Sequence, residues 1–254
     1  MMRPGEGGAC ANCGAEDATP FCSACGQDNL HGRLELRALL VDACQNLIGW
    51  ESALGRTLRG VTLEPGETAA EYVAGRRKRY VNPARFALLS LACWFVVTKL
   101  FGLDPMDVSG IHFSNSSGRA GEVIDGIRSF LSRRLELLLY LALPLRALFL
   151  RAFFPNAGRN LAECLVLVLF VAGFGYVLAA LLTPILALEI DWIAKVRPLL
   201  TLVWSIRGAK TFFRATWFGA IWRVTCVAAL HALGTVVLFG LIAVPWVLWT
   251  TRQV

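Results

Sequence analysis

The sequence predicts an all-α polytopic membrane protein with about five transmembrane helices and a small, cysteine-rich N-terminal head on the cytoplasmic side. Three observations support this fold class. Of the 254 residues, 56% are hydrophobic and only 17% are charged, and the mean hydropathy of +0.56 is outside the usual range of soluble domains. Long apolar runs occupy most of the chain after residue 83. Two close cysteine pairs precede them, so we expect a head at 1–30, a helical linker at 31–83 and a transmembrane bundle at 84–254.

The head contains two Cys-x2-Cys pairs separated by eight residues, and the predicted metal ligands are Cys10, Cys13, Cys22 and Cys25. A two-residue gap lets a tight turn place both sulfurs on one ion, and two such turns supply the four thiolates of a tetrahedral zinc site. Gly14 and Gly26 follow the pairs and can adopt the positive φ that these turns require. We therefore expect a structural zinc on which the fold of the head depends. A redox dithiol pair and an iron–sulfur cluster are the alternatives.

The other four cysteines are scattered, and we expect them to pack as small apolar residues; they are Cys44, Cys93, Cys164 and Cys226. The N-terminus, MMRPGEGGAC, lacks the apolar segment of a signal peptide. The head is therefore expected to stay in the cytoplasm with its thiols reduced.

The linker combines an amphipathic helix with a basic segment next to the first span. Apolar residues recur at helical spacing from Arg33 to about Arg59, and a break is expected near Gly49 or Gly55. This helix is expected to lie at the membrane interface or to pack on the bundle.

Residues 65–83, here called the hinge, follow the amphipathic helix. Glu67 to Ala74 predicts a short helix that ends at Gly75. The basic run Arg76, Arg77, Lys78 and Arg79 then predicts the cytoplasmic flank of the first span and a contact with anionic lipid headgroups. Asn82-Pro83 predicts a break before the apolar run.

These segments resemble a known family. The residues that carry the resemblance are Cys25-Gly26-Gln27, Thr57-Leu58, Pro65-Gly66, Tyr72, Gly75, Arg77, Tyr80 and Pro83. Between Cys10 and about Leu103 the chain is similar to an uncharacterised family of bacterial membrane proteins, the domain of unknown function 3667. The resemblance implies a bacterial inner-membrane protein with a zinc-ribbon head. It implies no activity and no catalytic residues.

The predicted spans lie near 86–103, 137–154, 165–188, 190–206 and 224–249. Between the first two, residues 104–134 predict an external loop with a surface helix. Arg146 weakens the second span, and Asp191, Lys195 and Arg197 crowd the start of the fourth.

Charge asymmetry favours five crossings over three. Five place the basic hinge, the loop around Arg159 and the loop from Arg207 to Arg223 together in the cytoplasm, with the C-terminus outside. Three crossings would leave Arg146, Arg151 and Arg159 outside.

Ionisable residues within the predicted bundle are candidates for a transport path; they are Arg146, Lys195, Arg197 and His231. Arg146 is expected to pair with Glu136 or Glu163, and Asp191 with Lys195. His231, alone on an apolar span, favours a packing role. The broken, repeated helices of secondary transporters are not apparent.

No catalytic motif is apparent, so an enzyme, such as a transferase that uses His112, is disfavoured. The head has few basic residues, which disfavours nucleic acid as a partner. The favoured hypothesis is a non-enzymatic scaffold or regulator whose zinc head binds a cytoplasmic protein partner. The alternative is a small-solute or ion transporter.

Overall fold

A computed structural model describes residues 9–10, 12–16, 21–27, 36, 51–103, 119–186 and 192–251. Beyond the head, the described residues are mostly helical. We label the helices α1 (Glu51–Leu63), α2 (Pro65–Val73), α3 (Pro83–Leu100), α4 (Arg119–Leu141), α5 (Leu143–Phe153), α6 (Leu161–Leu186), α7 (Trp192–Phe212) and α8 (Trp217–Thr251). Turns of 3-10 helix lie at Arg77–Arg79 and Pro155–Ala157. In the head, Ala9 and Glu16 form an antiparallel bridge.

The helix α6 is the centre of the molecule. Its residues from Ala162 to Val171 are all buried, and it contacts α1, α2, α3, α5 and α7. A helix that is apolar on every face is stable only where other elements or lipid cover it all round. Here protein covers its first half. Tyr72 of α2 meets Phe170 of α6 edge to face, with ring centroids 5.8 Å apart.

Ring contacts along α6 give the directions of its neighbours. Phe86 lies 6.1 Å from Phe170, and Trp94 lies 6.0 Å from Tyr176, so α3 runs parallel to α6. By contrast, α7 runs antiparallel, because its Trp204 stacks on Phe174 and its Gly208 lies beside Leu167.

Contacts of the remaining helices show which of their ends lie together. The Tyr140 hydroxyl near the end of α4 donates to the Ala84 carbonyl at the start of α3, at 2.9 Å. In α8, Arg223 lies over Phe154, whereas Trp246 contacts Phe130 of α4. One end of the bundle therefore holds the starts of α3, α6 and α8 and the ends of α5 and α7. We call it the basic end; its basic residues include Arg151, Arg159, Arg207, Lys210, Arg214 and Arg223.

The hinge is built into this end rather than lying loosely against it. Val61, Ala69, Tyr72, Tyr80 and Val81 are buried in the same core cluster as α6. The described part of the linker, residues 51–83, therefore packs on the bundle, which is one of the two positions expected for its amphipathic helix.

Gly75 ends α2 as predicted. With φ at 108°, it lets the Arg76 N–H donate to the Glu71 carbonyl at 3.1 Å, while its own N–H donates to Tyr72 at 3.2 Å. These two bonds form the Schellman motif that satisfies the last carbonyls of a helix. The predicted break near Gly55 is wrong, because α1 runs through this residue; Gly49 and most of residues 33–50 lie outside the described ranges.

Three helical segments within the described ranges are long and apolar enough to cross a membrane. They are Arg77–Leu100, Leu161–Leu186 and Trp217–Trp246. They correspond to the predicted spans near 86–103, 165–188 and 224–249. The structure thus supports an all-helical protein with at least these three candidate spans.

The two weaker predicted spans differ from expectation. The one near 137–154 is divided at Ala142 between α4 and α5, where Pro144 occupies the first turn of α5. Because α4 already begins at Arg119, the predicted surface helix and the start of this span form one helix. The span near 190–206 corresponds to α7, which continues to Phe212 and contains Arg207 and Lys210. Residues 104–118 of the predicted external loop lie outside the described ranges.

Candidate metal centre and its contact with the hinge

The structure brings the four predicted ligands together. The sulfurs of Cys10, Cys13, Cys22 and Cys25 all lie within 4.8 Å of one another. Two pairs are closer, because Cys10 Sγ is 3.6 Å from Cys25 Sγ and Cys13 Sγ is 3.6 Å from Cys22 Sγ. Four sulfurs about 2.3 Å from one tetrahedral ion would be about 3.8 Å apart. The cluster therefore has the size that a metal ion requires.

Both cysteine pairs have the same backbone conformation. In the first, the Cys10 N–H donates to the Ala15 carbonyl at 2.7 Å and the Gly14 N–H to the Cys10 carbonyl at 2.8 Å. In the second, the Cys22 N–H donates to the Gln27 carbonyl at 2.7 Å and the Gly26 N–H to the Cys22 carbonyl at 2.7 Å. The repeat requires positive φ at Gly14 and Gly26, which are at 75° and 67°.

Hydrogen bonds within the cluster separate the pKa values of two of its thiols. Burial raises the pKa of Cys25, but hydrogen bonds with the Asn12 side chain and the Gln27 backbone outweigh it and lower the pKa to about 7. For Cys13, a backbone hydrogen bond at Ala15 favours the thiolate, yet hydrogen bonds with the other thiols raise the pKa to about 12. Because a metal ion binds thiolates, binding at this cluster would release the protons of its thiols.

Gln27 connects the cluster to the hinge. Its backbone carbonyl closes the second cysteine turn, while its side-chain Oε1 accepts a hydrogen bond from the Lys78 N–H at 3.2 Å. Only 5% of the Gln27 surface is exposed, whereas Lys78 is exposed, so the contact is partly buried. A residue adjoining the cysteine cluster is therefore hydrogen-bonded directly to the 3-10 turn of the hinge.

Glu71 organises the basic run of the hinge. Its carboxylate accepts hydrogen bonds from the Tyr80 hydroxyl and from Arg76 Nη1, both at 2.6 Å, and lies 3.9 Å from Arg79 Nε. Arg56 of α1 in turn donates to the Arg79 carbonyl at 3.1 Å. The side chains of Arg76 and Arg79 remain about half exposed, so both can also face an anionic surface.

Within the bundle, the predicted pairing of Arg146 with Glu163 is wrong. Arg146 Nη2 donates to Ser205 Oγ at 2.8 Å, while Glu163 lies 3.9 Å from Arg159 and accepts the Asn160 N–H. The side chain of Glu136 lies outside the described part of the structure. Beside Arg146 and Ser205 is a cavity of about 10 Å³ that is otherwise lined by apolar side chains.

The other ionisable candidates are dispersed. Arg197 lies over the Trp94 ring, 5.8 Å from its centroid. His231 has a buried Nδ1 atom without a hydrogen-bond partner among the described residues. The side chains of Asp191 and Lys195, and all of His31 and His112, lie outside the described residues.

The sequence alone does not predict two hydrogen bonds near the site, Gln27 with Lys78 and Glu71 with Tyr80. Both join residues whose proximity depends on the fold. A third feature has a local sequence signal, because Asn160 and Glu163 are three residues apart, as in a capping box. At the start of α6 the Glu163 N–H donates to Asn160 Oδ1 at 2.8 Å, and the Asn160 N–H donates to Glu163 Oε2 at 3.1 Å.

Comparison with known proteins gives a match over this region. Residues 51–95 match the family model described as protein of unknown function (DUF3667). The matched residues comprise α1, the hinge and the first two-thirds of α3, which are the elements packed around the basic end. Comparisons with curated proteins and with solved structures give no match.

Proposed function

We propose that this protein is a non-enzymatic membrane scaffold or regulator whose zinc head binds a cytoplasmic protein partner. Zinc occupies the four-cysteine cluster as a structural ion, since thiolates favour it and four protein ligands leave no position for a substrate. The bundle crosses the inner membrane of a bacterium five times, with the head and the basic end in the cytoplasm. The family match over residues 51–95 supports the resemblance on which the bacterial assignment rests.

The observation that carries this proposal is the hydrogen-bonded contact between the head and the hinge. The second cysteine turn bonds to Lys78 through Gln27, and Tyr80 and Val81, which follow shortly after Lys78, are buried in the core of the bundle. A flexibly tethered metal domain would need no such contact. A head held at one end of a membrane bundle presents its free surface in a defined direction, which is what a docking platform requires.

Side chains at the basic end support the orientation. Positive charge gathers there from the hinge, α5, α7 and α8, as expected of the cytoplasmic face of a membrane protein. Trp217 and Trp222, in the first turns of α8, are each about half exposed. Exposed tryptophans next to basic residues are typical of the headgroup region. Further along α8, apolar side chains such as Leu233, Val236 and Leu241 are exposed in the way lipid-facing residues would be.

The alternation of helix directions supports five crossings. The segments α3, α6 and α8 run away from the basic end, and α4 with α5, as well as α7, run back toward it. In five crossings α4 and α5 together form the second span, which is interrupted at Ala142. The C-terminus then lies outside the cytoplasm.

An exposed aromatic residue marks the expected partner surface. Phe21 immediately precedes Cys22, and 64% of its surface is exposed. Aromatic side chains that are fixed by a rigid scaffold contribute strongly to protein interfaces. Phe21 is therefore the residue of the head that we expect to bind the partner.

The test compares three variants after purification from their native host. Wild-type protein should carry about one zinc ion per chain and retain a specific partner identified by mass. Cys10→Ser should lose both zinc and partner while still inserting into the membrane. Phe21→Ala should keep zinc and lose the partner, and Cys93→Ser, which removes an exposed thiol outside the head, should keep both.

Two results would contradict the proposal. A folded head without metal would refute the structural zinc. A Cys10→Ser protein that still retains the partner would separate partner binding from the head.

The alternative function is transport of an ion or small solute, and the specific observation favouring it is Arg146. This cation lies within the bundle, next to a cavity, and bonds Ser205 rather than a carboxylate. Functional sites in membranes often contain such residues. The cavity has room for about one water molecule, so a path for a solute would require the helices to separate. Solute flux in reconstituted vesicles that is lost on Arg146→Gln would support transport over the scaffold.

A further inference from the structure

A cleft of about 520 Å³ opens on the surface of the basic end, between the end of α5 and the start of α6. Its polar wall contains Arg151, Arg159 and Asn160, and its apolar wall contains Leu148 and Ala152. Pro155 and Gly158 also line it, and Gly158 turns the chain with φ at 63°. This volume falls within the range of small-molecule sites.

Two guanidinium groups give the cleft its chemistry. Arg151 is exposed, whereas Arg159 is held in place, because its guanidinium lies 4.6 Å from the Phe212 ring centroid and 3.9 Å from the Glu163 carboxylate. Counting Glu163, the three charged groups sum to one positive charge. Planar guanidinium groups suit phosphate oxygens, which they bind through paired hydrogen bonds.

The apolar wall continues along the outside of the bundle. Leu148 is half exposed, and Pro144 and Leu141 lie one and two helical turns further from the basic end with their surfaces also exposed. A polar cleft that opens onto an exposed apolar stripe matches a molecule with a phosphate at one end and a hydrocarbon chain at the other. A soluble phosphate compound would make no use of the stripe.

We infer that this cleft binds an anionic phospholipid of the leaflet at the basic end, with the phosphate diester between Arg151 and Arg159 and an acyl chain along Leu148 and Leu141. The inference rests on the proposed insertion and orientation in the membrane. It differs from the headgroup contact expected at Arg76 to Arg79, because the cleft is a formed cavity with a charged wall and an adjoining apolar surface. Anionic lipids are abundant in cytoplasmic leaflets, where basic surfaces attract them.

The experiment measures lipid binding to the purified full-length protein in neutral detergent by native mass spectrometry. The probes are phosphatidylglycerol, phosphatidylcholine and inorganic phosphate, each titrated separately. We expect phosphatidylglycerol to bind in preference to phosphatidylcholine. The double variant Arg151→Gln/Arg159→Gln should weaken phosphatidylglycerol binding by roughly tenfold to thirtyfold, given the usual effect of two basic residues near a charged membrane.

The matched control is Arg207→Gln/Arg214→Gln. It removes the same charge from exposed positions at the same end but outside the cleft, and binding should change by less than about threefold. Since Arg159 also packs on Phe212, the single variant Arg151→Gln serves as a test that leaves this contact intact. It should lower affinity several-fold with an unchanged melting temperature.

Three outcomes would overturn the inference: equal binding of the two lipids, equal loss in the control variant, or competition by inorganic phosphate at millimolar concentration. The last would assign the cleft to a soluble phosphate. Alkaline carbonate extraction of membranes separates this failure from that of the proposed function. Release of the protein by carbonate would refute membrane insertion and the lipid site together, whereas retention without lipid preference would refute the lipid site alone.

Discussion

A single hydroxyl group joins the helix before the hinge to the start of the first span. Thr57 is fully buried in α1; its hydroxyl donates to the Ala53 carbonyl at 2.8 Å, and its oxygen accepts the Val81 N–H at 2.8 Å. Val81 lies between the 3-10 turn and α3, where its N–H has no helical partner. Because buried backbone N–H groups need partners, Thr57 permits the extended backbone at Val81 to be buried.

Thr57→Val should therefore lower the free energy of unfolding by about 1–3 kcal/mol, the usual cost of leaving a buried donor unsatisfied. Valine has nearly the same shape, so the loss would come from the hydrogen bond rather than from packing. Thr57→Ser keeps the hydroxyl and should retain most of the stability. Thermal unfolding of the purified proteins in detergent measures both, and equal melting temperatures for the valine and serine variants would contradict this role.

Residue-level predictions succeeded where the deciding interaction is local. Gly75 was identified as a helix end, and Asn82-Pro83 as a break, since caps depend on residues three or four apart. In the structure, Asn82 Oδ1 caps α3 by accepting the Ala84 N–H at 2.9 Å. The contact of Thr57 with Val81 spans 24 residues and that of Gln27 with Lys78 spans 51, so neither leaves a local pattern.

At the scale of elements, α2 is fixed to the bundle by a close approach of two backbones. Gly66, in the first turn of α2, faces the Gly208 carbonyl near the end of α7, and a Cβ atom at Gly66 would overlap that oxygen and lie 2.8 Å from Thr211 Cβ. A backbone carbonyl cannot move aside as a flexible side chain can. The pair therefore sets how closely the hinge packs against α7.

Gly66→Ala should force α2 away from α7 and lower the free energy of unfolding by about 1–3 kcal/mol, as overpacking of a close contact does. Gly55→Ala is the matched control, because Gly55 is in the interior of α1 and a Cβ atom added there would meet no neighbouring element of the described structure within 4 Å. That change should raise stability by about 0.4–1 kcal/mol through the lower entropy of the unfolded chain. Melting temperatures of the two variants should thus shift in opposite directions, and a neutral Gly66→Ala would show that the helices are not in tight contact.

The division of the second predicted span shows the limit of reading elements from hydropathy. Residues 137–154 form one apolar run, and hydropathy alone cannot reveal that the helix is interrupted at Ala142 within it. Tyr140, before the interruption, donates to the Ala84 carbonyl, and Arg146, six residues later, donates to Ser205. Those two contacts involve different helices, α3 and α7, and so depend on the packed bundle rather than on the run itself.

At the scale of the whole molecule, the structure gathers onto one end the features that the sequence distributes along the chain. The cysteine cluster contacts the hinge through Gln27, and the hinge contacts α7 at Gly208. The turn between α5 and α6 contacts the same end of α7, where Phe154 stacks on Phe213 with ring centroids 4.3 Å apart. Head, hinge and this turn should then share one side of a membrane. Five crossings satisfy that condition, whereas three leave the turn on the opposite side from the hinge.

The turn between α5 and α6 consequently distinguishes the two arrangements, and Asn156 is an exposed position within it. In a background with Cys93 and Cys226 changed to serine, Asn156→Cys should resist a membrane-impermeant maleimide in intact spheroplasts and react after permeabilisation. Ser116→Cys, in the predicted external loop, should react in both. Peptide mass analysis distinguishes these labels from labels on the head cysteines. Reaction of Asn156→Cys in intact spheroplasts would favour three crossings. Arg151 and Arg159 flank this turn, so the same result would place them away from the cytoplasmic leaflet.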